Sequence, residues 1–342
     1  MLIIYAQISV AVELADKCNI NSTNNDSTEC LQRYIVSQAL RGNVAKLRKG
    51  VYYISAPIRL PSGTKLVGNM SILSFSSKKS DDILLLIESS NVSVESVNLV
   101  ANGSYLIDKL PNSYFQNLPE SFYLVGFSNF YTAIAVSGCN VNNISIANNK
   151  ISSFGFGLKH YLSQSCQNLS EGFSYQSNKF TNLGQAAIFI MNKSQKISIL
   201  NNTIESVLGN MVAGINPLVE NSKFADGIYI DKVSNVNIIG NKISNVKRIG
   251  VVVEGSGYGE KSLELNKNIV IADNYITNVN ASQGSECNAG IWVEPIVDES
   301  NHGSYFTDNV RIENTVIDNI NAVPNIGKCK QQFGVFAGAK VN

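Results

Sequence analysis

The chain has 342 residues, of which 44% are hydrophobic and only 15% are charged, so it can bury a large core. Its 27 basic and 26 acidic side chains leave a net charge of +1. That balance provides neither the basic field that binds nucleic-acid backbones nor a polybasic strip for anionic lipids. No apolar run approaches the roughly 18 residues that a membrane span needs. The composition therefore disfavours a nucleic-acid partner and membrane insertion.

The first segment, residues 1–16, is mostly apolar and lacks the positive start of a secretory signal, so it is either a signal-peptide remnant or a first strand. The six cysteines form an even set without a Cys-x-x-Cys pair, which disfavours a metal site or a thioredoxin-like pair. They are Cys18, Cys30, Cys139, Cys166, Cys287 and Cys329. Sequential pairing is plausible, but the sequence leaves the connectivity open. These features predict a secreted or cell-surface protein.

Residues 17–70 are predicted to form an amino-terminal cap and a first coil. Within 29–40, the apolar residues follow helical spacing and form a face that could close the end of a solenoid. They are Leu31, Tyr34, Ile35 and Ala39. Segment 48–69 then predicts two short strands joined by Pro-Ser-Gly.

From residue 92 onward one pattern recurs, in which two alternating apolar residues precede a polar step, an Asn and a further apolar residue. The copies are ISIANNKI (144–151), FSYQSNKF (173–180), ISILNNTI (197–204), VNIIGNKI (236–243), IVIADNYI (269–276) and VRIENTVI (310–317). The alternation is the period of a strand with one buried face. The recurring Asn lies at positions 149, 178, 202, 241 and 274, and Thr315 replaces it in the last copy.

This recurring Asn needs a structural reason, because burying an unpaired amide costs about 1–3 kcal/mol. If successive copies stack, each side chain can bind its neighbours in a hydrogen-bonded ladder at a tight bend. Asn also tolerates the left-handed backbone conformation that such a bend demands. The pattern therefore predicts stacked coils.

A second strand alternates with the first, and its second and fourth positions are mostly aliphatic. Its copies are AIAVS (133–137), GLKHY (157–161), AIFIM (187–191), GIYID (227–231), GVVVE (250–254), GIWVE (290–294) and GVFAG (334–338). Each repeat thus contributes at least two strands, which is typical of a parallel β-solenoid. The alternatives fit less well, because crossover helices and hairpin turns are both missing from the pattern. The domain is predicted to span 17–342, with repeated coils over 92–342.

The order of these features resembles the pectate-lyase-like right-handed parallel β-helix superfamily. The resemblance rests on the Leu-Gln helix, the runs KGVYYIS (49–55) and PSGTKLVG (61–68), and the Asn-laddered repeats. It covers nearly the whole chain and implies an all-β fold, a single-stranded right-handed parallel β-helix with an amino-terminal capping helix. It says little about activity, because members include lyases, glycoside hydrolases, epimerases, phage tailspikes and non-catalytic proteins.

Three acidic residues, Asp231, Glu254 and Glu294, share the outward fifth position of the second strand on consecutive coils. Strands stack about 4.8 Å apart, so neighbouring carboxylates should lie about 5 Å apart in a column. Repulsion should then raise the pKa of the middle acid, Glu254. A protonated acid beside an ionised one is the pair that cleaves glycosidic bonds, so these three are the predicted catalytic residues. The alternative is a solvated polar edge.

Three aromatic residues, Phe189, Tyr229 and Trp292, share the outward third position beside this column. Exposed rings of this kind bind the apolar faces of sugars, and we predict that role for them. The alternative is that a loop covers them and they form a satellite core. The predicted walls of a substrate groove are the insertions 101–131, 205–226, 255–267 and 295–308.

Other candidates flank the column. Lys159 occupies the outward third position two coils before Tyr229, and Arg248 could either neutralise a substrate carboxylate or pair with an acid. His302 could reach over the column from its loop. Asp226 could join the acidic cluster or cap a turn. His160 falls at an inward position, which favours a hydrogen-bonded core residue over a catalyst.

The leading functional hypothesis is a secreted carbohydrate-active protein, a glycoside hydrolase that cleaves a polysaccharide with paired carboxylates and without a cofactor. The Gly-His-Gly and Arg-Ile-Lys motifs of the polygalacturonase branch, and the Asp-Pro-His-Glu motif of bacterial alginate epimerases, are missing. One alternative is a Ca²⁺-dependent polysaccharide lyase. Its metal ligands would be Asp226, Asp231 and Glu254, with Lys159, Arg248 or Tyr229 abstracting the proton. The other alternative is a non-catalytic glycan-binding or structural β-helix, such as an adhesin or a virion spike. The oligomeric state stays open.

Overall fold

The computed structural model describes residue 18 and residues 26–77, 82–101, 131–163, 165–207, 225–254, 266–280, 288–293, 296–298, 303–305, 307–321 and 332–337. The predicted signal remnant or first strand at 1–16 lies outside these ranges. Within them, no helix is long and apolar enough to cross a membrane.

The described residues form one helix and 27 strands. The helix is α1 (Thr28–Leu40), and the strands are β1 (Val44–Lys46), β2 (Gly50–Ile54), β3 (Ile58–Leu60), β4 (Lys65–Val67), β5 (Ser71–Phe75), β6 (Ile83–Ile87), β7 (Val92–Glu95), β8 (Asn98–Ala101), β9 (Thr132–Gly138), β10 (Ile144–Ala147), β11 (Lys150–Ser152), β12 (Phe156–Leu162), β13 (Ser170–Gln176), β14 (Lys179–Leu183), β15 (Ala186–Leu200), β16 (Thr203–Val207), β17 (Asp226–Ile239), β18 (Lys242–Val246), β19 (Ile249–Glu254), β20 (Lys267–Ala272), β21 (Tyr275–Asn280), β22 (Asn288–Val293), β23 (Ile296–Asp298), β24 (Gly303–Tyr305), β25 (Asp308–Glu313), β26 (Val316–Asn321) and β27 (Gln332–Ala337).

The strands stack into three parallel faces, because each coil places one strand segment on each face. Face I contains β1, β4, β7, β10, β13, the second halves of β15 and β17, β20 and β25. Face II contains β2, β5, β8, β11, β14, β16, β18, β21 and β26. Face III contains β3, β6, β9, β12, the first halves of β15 and β17, β19, β22 and β27. The predicted right-handed parallel β-helix is thereby confirmed, and its coils begin before residue 92.

The predicted cap is also present, since α1 covers the amino-terminal end of the coils. Leu31, Tyr34 and Ile35 are buried, as the helical spacing predicted. Gln38 is the fourth buried residue of the helix, whereas Ala39 is only half-buried.

The predicted Asn ladder is confirmed between faces I and II. Each side-chain amide donates to the side-chain oxygen of the next coil, from Asn149 to Asn178, Asn202, Asn241 and Asn274, at 3.0–3.1 Å. The backbone N–H of each donor residue binds the same oxygen. All five residues are buried, so the ladder satisfies polar groups that water cannot reach.

The left-handed conformation at this bend belongs to a different residue from the one predicted. Positive φ angles occur one position before each ladder Asn, at Asn148, Ser177, Asn201, Gly240 and Asp273. The expectation that the ladder Asn itself adopts this conformation is wrong. The preceding residue makes the turn, while the ladder Asn keeps its N–H and its side chain directed along the stack.

Two disulfides follow the sequential pairing, Cys18–Cys30 and Cys139–Cys166. Cys287 and Cys329 lie outside the described residues. Disulfides are typical of proteins in oxidising compartments, which agrees with the expected extracellular location.

A glycine at the start of each later face III strand allows close packing at the corner with face II. A Cβ on Gly250 would lie 2.5 Å from the carbonyl oxygen of Gly290 and 2.6 Å from Cγ2 of Ile276. Gly227 is similarly confined, by the Gly250 carbonyl and Ile243. Positions 226 and 229 both lie on the outer surface, since their strand partners Ala186 and Phe189 belong to one apolar cluster outside the core.

Candidate functional site

The first two residues of the predicted acidic column are in register. Asp231 at the end of the face III part of β17 is the direct strand partner of Glu254 at the end of β19. In the next coil, Val293 partners Val253, and Glu294 follows it immediately in the chain. Strand spacing of about 4.8 Å therefore places Asp231 and Glu254 side by side. Glu294 itself lies outside the described residues, and its place in the column stays a prediction.

These two acids differ in accessibility. Asp231 is fully buried, whereas Glu254 is partly exposed. The hydroxyl of Tyr229 donates a hydrogen bond to the Glu254 carboxylate. Burial, and then the nearby charges of Glu254 and Asp231, raise the pKa of Tyr229 well above its usual value, so this hydroxyl stays a donor. Of the two acids, only Glu254 is accessible to solvent.

The aromatic column is not the exposed sugar platform that was predicted. Phe189 is 1% exposed and Tyr229 3% exposed, and their rings stack face to face with centroids 4.7 Å apart. Phe156 packs edge-on against Phe189. The exposure predicted for Phe189 and Tyr229 is wrong, because rings in register on adjacent coils cover each other's faces. They belong to a second apolar cluster outside the solenoid core, which confirms the satellite-core part of the alternative, whereas its covering loop stays a prediction.

Trp292 is partly buried at the edge of this second cluster. It stacks on Phe336, its direct strand partner, with centroids 3.9 Å apart. Phe336 is also partly exposed, and it was missed by the sequence reasoning. The repeat alignment could have identified Phe336, because it is the third residue of GVFAG, as Trp292 is of GIWVE.

A buried ion pair lies on the same outer surface. Arg248 binds both carboxylate oxygens of Asp226, with Nε–Oδ1 2.8 Å and Nη2–Oδ2 2.7 Å. This confirms that Arg248 pairs with an acid. Asp226 is fully buried, and burial raises its pKa to about 6 although the Arg248 charge acts in the opposite direction. The pair is therefore ionised at neutral pH.

This ion pair bears on the Ca²⁺ ligands predicted for a lyase. A cation on Asp226 would have to displace the guanidinium of Arg248. Across the described residues, no group of three or more His, Cys, Asp or Glu side chains could hold a metal ion. The arrangement of Asp226, Asp231 and Glu254 therefore does not support a Ca²⁺ site.

Lys159 lies on the outer surface of face III, where it is the strand partner of Phe189. Its ammonium group is 5.2 Å from the centroid of the Phe156 ring, which is a cation–π distance. It therefore stands two coils from Tyr229, as the alignment predicted, and its substrate-binding role stays a prediction. His302 lies outside the described residues.

His160 is confirmed as a hydrogen-bonded core residue. It is fully buried inside the solenoid, with Nδ1 2.8 Å from the Tyr175 hydroxyl and Nε2 2.9 Å from the Ser194 hydroxyl. Burial lowers its pKa to about 3, so the ring is neutral.

The predicted groove walls are described only in part. Within the last insertion, Ile296–Asp298 pairs antiparallel with Gly303–Tyr305. Most of the other three insertions lies outside the described residues, so the groove stays a prediction.

Comparison with known proteins supports the fold. No protein-family model and no curated protein match this chain. Among solved structures, the Dettilon tailspike protein is similar at 14% identity and a TM-score of 0.52, covering 87% of this chain and 48% of its own. The chain thus spans about half the length of that tailspike. PfbA, a surface adhesin of Streptococcus pneumoniae, matches at 14% identity, a TM-score of 0.47 and coverage of 94% and 80%. An exopolygalacturonase from Thermotoga maritima matches at 13% identity, a TM-score of 0.43 and coverage of 96% and 91%. The chain therefore has the parallel β-helix fold, which it shares with the Dettilon tailspike protein.

Proposed function

We propose that this protein is a secreted carbohydrate-active β-helix enzyme that hydrolyses a polysaccharide on the outer surface of face III. The observation that carries the proposal is the direct pairing of Asp231 with Glu254, two carboxylates on adjacent strands. The names of similar structures, which include a tailspike, an adhesin and an exopolygalacturonase, agree with a polysaccharide partner.

Each residue of the cluster has a distinct part in this proposal. Glu254 is partly exposed and meets the glycosidic oxygen or the sugar carbon, while Asp231 supplies the second carboxyl group. Tyr229 orients Glu254 through its hydrogen bond, and the Asp226–Arg248 pair anchors the adjacent strand ends. Carboxyl groups about 5 Å apart would suit a retaining mechanism, which also requires the buried Asp231 to become accessible to the sugar when the substrate binds.

The test is reducing-end release from a panel of acidic and neutral polysaccharides. In the hydrolase, Glu254→Gln should lose at least about a hundredfold in rate. Glu95→Gln is the matched control, because Glu95 is an exposed acid on face I. Ultraviolet absorbance from an unsaturated uronate, together with loss of activity in EDTA, would instead identify a lyase. Equal rates for Glu254→Gln and wild type would reject the proposed site.

The second candidate is a non-catalytic glycan-binding β-helix. It is favoured by the complete burial of Asp231 and by the rings of Phe189 and Tyr229, whose faces are unavailable to sugars. Such a protein would bind a polysaccharide in the panel without releasing reducing ends. Glu254→Gln and Asp231→Asn would then leave its function unchanged.

A further inference from the structure

The outer surface of face II carries a row of basic side chains. In this row each residue is the direct strand partner of the next, in the order Asn98, Lys150, Lys179, Thr203, Lys242 and Tyr275. Its three lysines are exposed. Strands stack about 4.8 Å apart, so the row from Lys150 to Tyr275 is about 19 Å long.

A second outward row runs beside the first, and most of its members are hydroxyl groups. Two positions further along the same strands lie Ser152, Thr181, Glu205, Ser244 and Thr277, again as direct strand partners. All five are half-buried. A hydroxyl both donates and accepts, so the two rows together present cations and neutral hydrogen-bonding groups.

The lysines of the first row are placed at a cost to the sheet. Lys150 is the direct partner of Lys179, and like charges opposite each other destabilise a sheet. Glu205 compensates Lys179 alone, with Nζ–Oε2 2.9 Å, and within the described residues no acid pairs with Lys150 or Lys242. Thr203 occupies the same position on an intervening coil, so the fold accepts a neutral residue there. A ligand with negative charges gives these lysines a reason that the fold does not.

We infer that the outer surface of face II is a second carbohydrate-binding surface, which takes an acidic polysaccharide lying across the strands along these two rows. The ammonium groups face the carboxylate or sulfate groups of the polymer, and the second row binds its hydroxyls. The ring of Tyr275 is 44% exposed at the end of the first row, where it can stack on the apolar face of a sugar. This binding goes beyond the proposed hydrolysis on face III and does not depend on it.

The charge of the surface favours a polysaccharide over a nucleic acid. Nucleic acids are bound through many phosphate contacts, whereas the row supplies three lysines, one of which already pairs with Glu205. The chain as a whole has a net charge of only +1. A polymer of lower charge density, with hydroxyls between its anionic groups, matches the alternation of lysines with Ser and Thr.

The affinity should come from several weak contacts. An ion pair at an exposed position contributes little, so a single sugar should bind weakly. A polymer that contacts several lysines at once gains from their number. The test therefore uses polymers, namely polygalacturonate, alginate and chondroitin sulfate. Polygalacturonate with its carboxyl groups reduced is the neutral match.

Isothermal titration calorimetry at about 50 and 500 mM NaCl measures the binding. All proteins carry Glu254→Gln, so that the polymer stays intact. Adding Lys150→Gln and Lys242→Gln should weaken binding of the acidic polymers roughly five- to thirtyfold at the lower salt concentration. The matched control adds Lys65→Gln and Lys267→Gln, which remove two exposed lysines from face I and change the net charge equally, and it should bind like the parent.

The aromatic contact is tested separately. Tyr275→Ala should also weaken binding, whereas Tyr275→Phe keeps the ring and should bind like the parent. High salt should weaken binding of the parent more than that of the double lysine variant, because fewer charges remain to be screened. Circular dichroism of each variant checks that the coils are folded.

Four results would overturn the inference. They are no binding of any acidic polymer at low salt, equal binding of the neutral polymer, equal weakening by the face I control, and tighter binding of single-stranded DNA. Hydrolysis is tested apart from this, with Glu254 intact and short oligosaccharides as substrates. There the double lysine variant should release reducing ends like wild type, so a failure on face II leaves the proposal for face III standing, and the reverse.

Discussion

His160 should make this protein sensitive to acid, because a positive charge on its buried ring would have no water around it. Both ring nitrogens would also have to donate, which changes the two hydrogen bonds that the neutral ring makes. The ring lies between the hydroxyls of Tyr175 and Ser194, and the Phe173 ring is 4.2 Å away between centroids. Burial in these surroundings is what lowers the pKa of His160. Replacing His160 by Asn removes the titrating group and keeps a side chain that can donate and accept.

The size and sign of the effect follow from the two pKa values. The pKa is 6.5 in the unfolded chain and about 3 in the fold, so below 6.5 the unfolded state binds the additional proton. The free energy of unfolding should therefore fall by about 1.4 kcal/mol per pH unit between pH 6.5 and 3 and level off below that. Between pH 7 and pH 4.5 the loss due to His160 is about 2–3 kcal/mol. That is a large part of the 5–15 kcal/mol typical of folded proteins.

Urea unfolding of wild type and His160→Asn at pH 7 and pH 4.5 measures this contribution. The variant should be less stable at pH 7, because the geometry of two buried hydrogen bonds changes, but it should lose about 2–3 kcal/mol less on acidification. Comparing the pH-dependent losses, rather than the absolute stabilities, removes the other titrating groups. Equal losses in the two proteins would show that His160 is not buried as a neutral ring.

Four further substitutions, one of them a control, test the scaffold and the ion pair. Asn202→Ala removes a ladder side chain that accepts from Asn178 and donates to Asn241, and thermal or urea unfolding should show a loss of about 3 kcal/mol. Gly250→Ala should destabilise by about 1–3 kcal/mol because its Cβ has no room, whereas Gly334→Ala, with open space at the same position of the last coil, should be neutral in the same assay. Arg248→Met leaves the Asp226 carboxyl group buried without its cation and should cost about 3–5 kcal/mol at pH 7. The cost should be smaller at pH 5, because loss of the Arg248 charge raises the pKa of Asp226 further and the protonated carboxyl group needs no cation. Equal unfolding free energies at the two pH values would contradict that last expectation.

The candidate site could be located from the sequence only to the level of strands and register. Asp231 and Glu254 were aligned correctly because both follow the same aliphatic alternation. Successive side chains of a strand point to opposite faces, so the position of a residue in this alternation determines its face. Arg248 and Asp226 lie 22 positions apart, and the sequence allowed each of them two roles. Only the stacking of coils shows that they bind each other, because the contact depends on side-chain reach between neighbouring strand ends.

The sequence by itself determined the coils of this protein, since the recurring Asn and the period-two strands are local patterns whose repetition leaves stacking as the way to bury them. It also placed Phe189 and Tyr229 on the outer surface of face III. Only the tertiary structure decided that these rings are buried, because burial depends on what lies over a surface and on ring faces that cover each other between coils. The exposure of an outward residue is a property of the assembled molecule, and no local pattern records it.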